Sequence, residues 1–222
     1  MQTLLAALWQ SDSAFPSGGF AFSNGLEGAA ALDPPLDRAK LAAALKATLR
    51  FRWATADRLA VLHAFHAGDI GQIGTIDRAF EAATIPEPSR TGSRRNGTAL
   101  LITHARLGTA GAADYRAAIA AARALGHLPV VQGWLWRQCG LDAASAVAAS
   151  AYTVAVGIVN AAVRLGSVGA IDAHGALADA LSSLDASPDF DRSLPIRFAS
   201  MTPWLDIAAS RQPRSDLRLF AN

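Results

Sequence analysis

Apolar residues recur along this chain at intervals of three and four positions, and nowhere do they alternate strictly by two over the length of a strand. Such spacing places apolar side chains on one face of an α-helix. The clearest example is a run that shares one face of a long helix: Leu41, Leu45, Leu49, Trp53, Ala56, Ala60 and His63. No repeat, low-complexity linker or shift in composition marks a domain boundary. The sequence therefore predicts one all-α domain over residues 1–222, a single-domain helical bundle of about eight to ten helices.

Capping and breaking residues predict where these helices begin and end. Asp37 is expected to cap the long helix, which should end at Gly68 and Asp69. Asp142 is expected to cap the helix that follows it, and Thr202 to cap the last helix. The remaining predictions are helices over 72–84, 89–106, 112–125, 134–139 after Pro129, 171–184 and 204–210, with breaks at Pro86 and Pro88 and a loop over 185–195.

Residues 143–163 carry no charge, and the stretch is long enough to cross a membrane. Its side chains are mostly those of Ala, Ser, Thr and Gly, which gain little from lipid, whereas leucine-type residues dominate a membrane span. Small side chains instead let neighbouring helices approach closely. We therefore expect a buried helix at the centre of the fold and no membrane association.

The charge balance, 20 basic against 18 acidic residues, does not indicate a nucleic-acid surface. Phosphate neutralisation needs clustered cations, and the densest cluster is only Arg90, Arg94 and Arg95. Cys139 is the single cysteine, so no disulfide can form within the chain, and the cytoplasm is the expected compartment. The first ten residues lack the charge and the length of a secretion signal, so export is not expected.

The motifs of several enzyme classes are absent from the sequence. Lys40 and Lys46 follow Ala and Leu rather than Gly, which argues against a P-loop. There is no His-Glu-x-x-His, no paired Cys-x-x-Cys and no Gly-x-Ser-x-Gly. His63 and His66 stand three apart on a predicted helix and could reach one metal ion, but no third ligand lies nearby in sequence. Ordinary surface or core-edge histidines are therefore the better interpretation.

The other candidates for metal binding or acid–base chemistry are isolated. His104 and His174 are lone residues on predicted helical faces. Cys139 could bind a soft cation, but an isolated cysteine is more often a small buried hydrophobe. We predict no catalytic residue, no metal site and no tightly bound cofactor.

The most informative stretch is residues 12–27, which we call the signature segment. Pro16 with Gly18 and Gly19 indicates a tight turn, and phenylalanines at 15, 20 and 22 supply apolar anchors around it. A loop packed by its own aromatic rings and a binding loop fit this pattern equally well. A phosphate site is disfavoured, because the glycine pair precedes neither a lysine nor a strand.

The signature segment resembles the amino-terminal motif of the urease accessory protein F family, Pro-x-Gly-Gly-Phe-x-x-Ser-x-Gly-Leu-Glu. The matching residues are Pro16, Gly18, Gly19, Phe20, Ser23, Gly25, Leu26 and Glu27. Further blocks resemble the family in order and approximate spacing and extend the likeness over nearly the whole chain: residues 90–97, 126–133, 161–164, 203–207 and 218–222.

Several positions depart from the family pattern. Phe22 stands where the family usually has a tyrosine and lacks its hydroxyl. The common Pro-Leu-Gly-Gln stretch is replaced around Ser167, Ala170 and His174, and Gln212 replaces the common His-Glu after the last helix. Site details of the family do not transfer to this chain at these positions.

The resemblance implies an all-helical, non-enzymatic scaffold of urease maturation. It implies a homodimer that binds the accessory protein called D or H, recruits with it the nickel-carrying GTPase called G, and docks on the urease apoprotein. Nickel is then handled by the complex. The apolar tail from Leu217 to Phe220 is expected to order against the D or H protein. The residues expected to bind partners are Phe20, Phe22, Glu27, Arg90, Ser93, Asp206, Arg218, Leu219 and Phe220.

Two other classes of function stay open. One is an all-α enzyme with His63, His66 or His127 in its site, which a pocket with converging titratable groups would favour. The other is a direct nickel-binding chaperone that uses histidines and Cys139. Tight stoichiometric nickel binding by the isolated chain would favour this second alternative.

Overall fold

The computed structural model describes residues 1–18, 25–30, 36–191, 193 and 195–211. Its elements are α1 (Gln2–Ser11), α2 (Leu26–Ala30), α3 (Arg38–Thr48), a π-helical segment (Leu49–Asp57), α4 (Arg58–Phe65), α5 (Ile70–Ala83), α6 (Glu87–Arg106), α7 (Ala112–Ala120), α8 (Leu128–Gln138), α9 (Ala143–Arg164), α10 (Ala170–Ser182) and α11 (Pro203–Arg211). The described residues form no strand. Because α3, the π-helical segment and α4 are continuous, these residues contain ten helices, which confirms the predicted all-α class and helix number.

Aspartates cap three helices, and two of these caps were predicted. The carboxylate of Asp37 accepts a hydrogen bond from the Lys40 N–H at 2.8 Å, and that of Asp142 accepts one from the Ser145 N–H at 2.7 Å. Asp69, expected to end a helix, instead caps the start of α5. Each side chain satisfies one of the N–H groups that a helix start leaves without an internal partner.

Three helix boundaries differ from the prediction. Pro88 does not break the chain but lies in the first turn of α6, where proline's fixed φ and missing N–H are tolerated. α7 ends at Ala120 rather than at residue 125, because Asp77 accepts hydrogen bonds from the backbone N–H groups of residues 125–127 and holds them in a turn. α8 consequently begins at Leu128, before Pro129.

The long helix is interrupted by a π-helical segment of nine residues, which apolar spacing did not predict. Beside it runs an irregular connection, residues 185–191, 193 and 195–202, which we call the strap. The N–H groups of Ala199 and Met201 donate to the carbonyl oxygens of Thr55 and Phe51, each at 3.0 Å. Both acceptor carbonyl groups belong to the π-helical segment. Their hydrogen bonds to the strap accompany the wider turn of this segment. The predicted apolar face is buried except at His63, which is half-buried.

The uncharged helix α9 lies in the interior, as expected from its small side chains. It packs against α3 and α10 in the larger hydrophobic cluster, with Ala151, Ala155 and Val159 fully or almost fully buried. The indole N–H of Trp53 donates to the Ser150 hydroxyl inside this cluster at 3.2 Å. Among the described residues, α9 is the one helix long and apolar enough to cross a membrane, and 61% of its most apolar window is buried by the rest of the chain. These features favour a core helix.

A second hydrophobic cluster joins α5, α6, α7 and α8. Its largest fully buried side chains are those of Ile73, Phe80, Leu101, Tyr115 and Leu135. The chain therefore buries two adjoining cores, with the long helix contributing residues to both. The packing of these helices determines which of the family-like sequence blocks lie next to each other.

Candidate functional site

The signature segment ends in the first two residues of α2, a helix that packs directly against α11. A Cβ atom at Gly28 would overlap the carbonyl oxygen of Ala208, and one at Gly25 would lie 2.7 Å from the carbonyl oxygen of Leu205. Gly25 also has a φ of 85°, in the left-handed region that favours glycine. Gly25 of the family motif and the neighbouring Gly28 therefore permit the close approach of the first family-like block and of α11, which carries the block at residues 203–207.

Two of the predicted partner residues, Glu27 and Asp206, lie at this junction. Leu26 and Glu27 are both buried, so the Glu27 carboxylate is not offered to the surface. The Asp206 carboxylate accepts hydrogen bonds from the Thr202 N–H at 3.2 Å and the Thr202 hydroxyl at 3.1 Å. Thr202 directly precedes α11, and its carbonyl oxygen accepts from the Asp206 N–H at 2.8 Å, as expected of the predicted N-cap, so Asp206 stabilises the start of its own helix.

The outer side of α11 is apolar. Leu205, Ala208 and Ala209 face inward and are buried, whereas Trp204 and Ile207 are exposed one turn apart. Met201, at the end of the strap, is also exposed beside them in sequence. We call Met201, Trp204 and Ile207 the α11 face. The predicted partner residues Phe20, Phe22, Arg218, Leu219 and Phe220, and the departing position Gln212, lie outside the described residues.

Arg90 and Ser93, also predicted to bind partners, are held by contacts within the chain. The Arg90 guanidinium donates to the Glu87 carboxylate and to the carbonyl oxygens of Thr84 and Ile85, at 2.7–3.0 Å. Ser93 is buried, and its hydroxyl oxygen accepts from the Leu128 N–H at 3.2 Å. Both side chains therefore fix the start of α6 against neighbouring elements.

His127 links α6 to α5 through both ring nitrogens. Nε2 lies 2.6 Å from a Glu81 carboxylate oxygen, which can only accept, so Nε2 carries the proton. Nδ1 then accepts from the Ser93 hydroxyl at 3.1 Å. Burial lowers the pKa of His127, although the nearby carboxylates of Asp77 and Glu81 oppose the shift. The ring is fully buried, so its contacts are those of a structural histidine.

Asp77 accepts four hydrogen bonds in the same region, and the sequence analysis did not identify it as an important residue. Its buried carboxylate accepts hydrogen bonds from the Tyr115 hydroxyl at 2.8 Å and from the N–H groups of Leu125, Gly126 and His127 at 2.9–3.0 Å. Burial, followed by the charge of Asp77, raises the pKa of Tyr115 well above its usual value. The sequence showed only an aspartate on a helix, with no sign of the turn that it organises.

Two further family-like blocks meet at this turn. A Cβ atom at Gly97 would overlap the carbonyl oxygen of Gly126, so α6 and the turn before α8 touch through their backbones. Ser93 bridges the same two blocks. The blocks at 90–97 and 126–133 are therefore neighbours that shape the scaffold.

The contacts of His63, His66 and His104 are mainly with aromatic rings and polar side chains. His63 and His66 pack around the ring of Phe190, with ring centroids 5.0 and 5.9 Å apart, in a surface groove of about 530 Å³. Cys139 is partly buried, and its sulfur lies 3.9 Å from Nδ1 of His104. Within the described ranges, no group of three or more His, Cys, Asp or Glu side chains is placed to hold a metal ion.

A cavity of about 180 Å³ extends between α1, α6, α8, α9 and the π-helical segment. Three buried side-chain atoms of its lining residues, Gln10 Nε2, Thr48 Oγ1 and Asn96 Oδ1, have no hydrogen-bond partner among the residues that the structure describes. Asp57 also lines it, 3.6 Å from Arg52, and burial raises the pKa of its carboxyl group. Buried polar atoms of this kind need water or another polar molecule to satisfy them.

Ser167, Ala170 and His174, which depart from the family pattern, lie at or near the start of α10. Ala170 and His174 are exposed and Ser167 is half-buried. The departing side chains therefore lie outside the buried residues of both hydrophobic clusters.

Comparison with known proteins agrees with this arrangement. The model of the UreF family matches residues 36–181. A protein named urease accessory protein UreF from Trichodesmium erythraeum is 30% identical, over 98% of this chain and 96% of its own length. Urease accessory protein UreF 1 of Brucella melitensis is 32% identical, over 99% of this chain and 92% of its own length. The chain therefore belongs to the UreF family of urease accessory proteins.

Proposed function

We propose that this chain matures urease as a homodimeric cytoplasmic scaffold. It binds the accessory protein called D or H, recruits with it the nickel-carrying GTPase called G, and presents that assembly to the urease apoprotein for nickel insertion. Membership of an accessory-protein family gives the chain a role in urease maturation and makes it a non-catalytic component. The finer steps, from partner choice to nickel delivery, are our proposal.

The observation that carries the proposal is the α11 face. Its exposed Trp204 and Ile207 lie on a helix whose other side packs closely against Gly28 of α2 and against Gly25 just before α2. Large apolar side chains on a rigid helix are the usual anchors of a protein interface. The face leads directly into the residues 212–222, which contain Leu217, Leu219 and Phe220. We propose that α11 and this tail together bind the D or H protein.

Polar side chains that bond within the chain support a scaffold in a different way. Arg90, Ser93 and Asp206 hold the starts of α6 and α11 through hydrogen bonds within the chain. We propose that they act on partners indirectly, because they fix the positions of the helices that partners contact. Their replacement should therefore weaken partner binding together with stability.

Co-purification with the D or H protein tests the proposed face. The double variant Trp204→Glu with Ile207→Glu, and separately the deletion of residues 217–222, should abolish co-purification while the chain stays folded. Ile171→Glu is a matched control, because Ile171 is an exposed isoleucine on α10, away from α11. Unchanged co-purification in both altered proteins would overturn the α11 assignment.

Urease activity in a host tests the function itself. Deletion of the gene in a urease-positive host should abolish urease activity when no nickel is added, and the wild-type gene should restore it. Full urease activity in the deletion strain without added nickel would remove the proposed function. Calorimetric titration of the isolated chain should show no tight stoichiometric nickel binding, whereas tight binding would favour the direct nickel chaperone.

A further inference from the structure

The first part of the long helix is rich in positive charge. Residues 38–56 contain no acidic residue and five basic ones, which are Arg38, Lys40, Lys46, Arg50 and Arg52. Arg38 and Arg52 lie within ion-pair distance of aspartates of this chain. Lys46 and Arg50 are exposed, and neither pairs with a carboxylate of the described residues. Uncompensated positive charge therefore lies on the outer side of α3 and the π-helical segment.

The strap adds a third exposed cation beside this helix. Its side chains alternate: Ile196 and Phe198 are half-buried and pack against the second hydrophobic cluster, whereas Arg197 and Met201 are exposed. The Met201 N–H donates to the Phe51 carbonyl oxygen at 3.0 Å, which places this part of the strap against the π-helical segment. Residues 195–205 contain no acidic residue either. The strap and the helix thus form one exposed surface of positive charge.

Large apolar side chains lie among these cations. Phe51 is 50% exposed, and the guanidinium carbon of Arg50 lies 5.3 Å from the centre of its ring. Met201 is 70% exposed and is also part of the α11 face. We call Lys46, Arg50, Phe51, Arg197 and Met201 the basic surface. Through Met201, the basic surface continues the α11 face onto the long helix.

We propose that the basic surface binds an acidic, partly apolar segment of the protein that docks on α11. The inference rests on the proposed function, because it extends the α11 face and names the chemistry of the partner. Carboxylates of this segment pair with the three exposed cations, and its apolar side chains cover Phe51 and Met201. Complementary charge of this kind speeds association and fixes the orientation in which two proteins meet.

Charge distinguishes this partner from other occupants. Two copies of the basic surface that faced each other would bring like charges together, which opposes such a contact. Residues 212–222 carry two arginines against one aspartate, so the chain's own tail does not supply the missing negative charge. Stable attachment to anionic lipid relies on clusters of about four to eight basic residues, more than the three exposed here.

Titration with the purified D or H protein, at about 50 and about 500 mM NaCl, tests the charge of the partner. Arg50→Glu with Arg197→Glu should bind roughly 10- to 100-fold more weakly than the wild type at the lower salt concentration, and its affinity should depend less on salt. Arg106→Glu with Arg116→Glu alters net charge equally at exposed sites on α6 and α7, and should bind like the wild type. Wild-type affinity and salt dependence in the first variant would overturn the proposal.

Cross-linking tests the contact in the intact complex, because Lys40 and Lys46 are the only lysines of this chain. In a Lys40→Arg variant, a carbodiimide should join the Lys46 amine to an Asp or Glu side chain of the D or H protein through an amide bond. Cross-links from Lys46 only to carboxylates of this chain would contradict an acidic partner segment.

Two further outcomes separate this inference from the function that it extends. Loss of the D or H protein in Trp204→Glu with Ile207→Glu, but not in Arg50→Glu with Arg197→Glu, refutes the acidic segment and leaves the α11 assignment intact. Full binding in both variants refutes both. Vesicles of phosphatidylserine and phosphatidylcholine should not retain the chain, and retention that requires Arg50 and Arg197 would assign the basic surface to lipid instead.

Discussion

Gly28 lies against the carbonyl oxygen of Ala208 so closely that no side chain fits between them. Helix α2, in which the signature segment ends, and the last helix α11 therefore meet backbone to backbone, although Gly28 and Ala208 are 180 positions apart in sequence. Leu205 and Ala208 complete the contact with Ala29 and Ala44 in a small separate cluster. The position of the α11 face thus depends on a glycine near the other end of the chain.

Replacing this glycine should displace α11. Gly28→Ala introduces a methyl group that overlaps the Ala208 carbonyl, and we expect a loss of about 1–3 kcal/mol in the free energy of unfolding. The Tm should fall by roughly 2–4 °C for each kcal/mol. Gly68→Ala is the matched control, since its Cβ would meet only the Gln72 side chain at 3.9 Å. Equal Tm values for the two variants would contradict the close approach.

Asp77 should be among the most important polar residues for stability. Asp77→Ala leaves the Tyr115 hydroxyl and three backbone N–H groups without an acceptor, and we expect a loss of about 3 kcal/mol or more. Asp179→Ala, at an exposed position of α10, should change stability by only about 0.5 kcal/mol. Urea denaturation measures both. A loss at Asp77 as small as that at Asp179 would show that the turn at residues 125–127 does not need this carboxylate.

The fold should lose stability as the pH falls below the usual histidine pKa. Burial lowers the pKa of His104 from 6.5 to about 4 and lowers that of His127 in the same direction. The unfolded chain therefore binds these protons more readily than the folded chain. The contribution is complete above pH 6.5 and is lost progressively as the pH falls toward 4.

Histidine variants isolate this part of the pH dependence. Replacement of His104 by Gln should flatten the curve of unfolding free energy against pH between 6.5 and 4, whatever its effect at neutral pH. Replacement of the exposed His174 by Gln should leave the curve parallel to that of the wild type. Denaturant titrations at several pH values provide the measurement, and an unaltered slope in the His104 variant would exclude a buried neutral imidazole.

Arg58 should hold the strap against the long helix. Its guanidinium donates to the carbonyl oxygens of Ser187 and Asp189, at 2.8 and 3.3 Å. Arg58→Ala should cost about 1–2 kcal/mol locally, so the amide hydrogens of Ala199 and Met201 should exchange roughly tenfold faster. Arg38→Ala, which removes only an exposed ion pair with Asp172, should leave those exchange rates unchanged. Equal protection in both variants would mean that the strap is held without Arg58.

Local signals in the sequence predicted the helical class and several caps correctly. Asp37 and Asp142 cap helices because an aspartate reaches an N–H group two or three residues ahead, and only neighbouring residues decide this. The uncharged composition of residues 143–163 likewise predicted a core helix. Such features depend on near neighbours along the chain.

Features set by distant residues could not be predicted in this way. α1 was not predicted, because its apolar residues point outward and Met1 makes no side-chain cap. The early end of α7 depends on Asp77, more than forty positions away. Arg90 and Ser93 were expected to bind partners, and only the structure reveals that Glu87, Leu128 and His127 engage them. The proposed partner roles of these residues stay predictions.

The nine-residue π-helical segment restricts how the length of this chain can vary during evolution. Two of its carbonyl groups, those of Phe51 and Thr55, bond to the strap. Removal of one residue here would let the segment close into ordinary α-helical turns, in which the carbonyl groups of Phe51 and Thr55 bond within the helix rather than to the strap. Insertions and deletions should therefore accumulate in the loops at the surface, while this stretch keeps a constant number of residues among relatives.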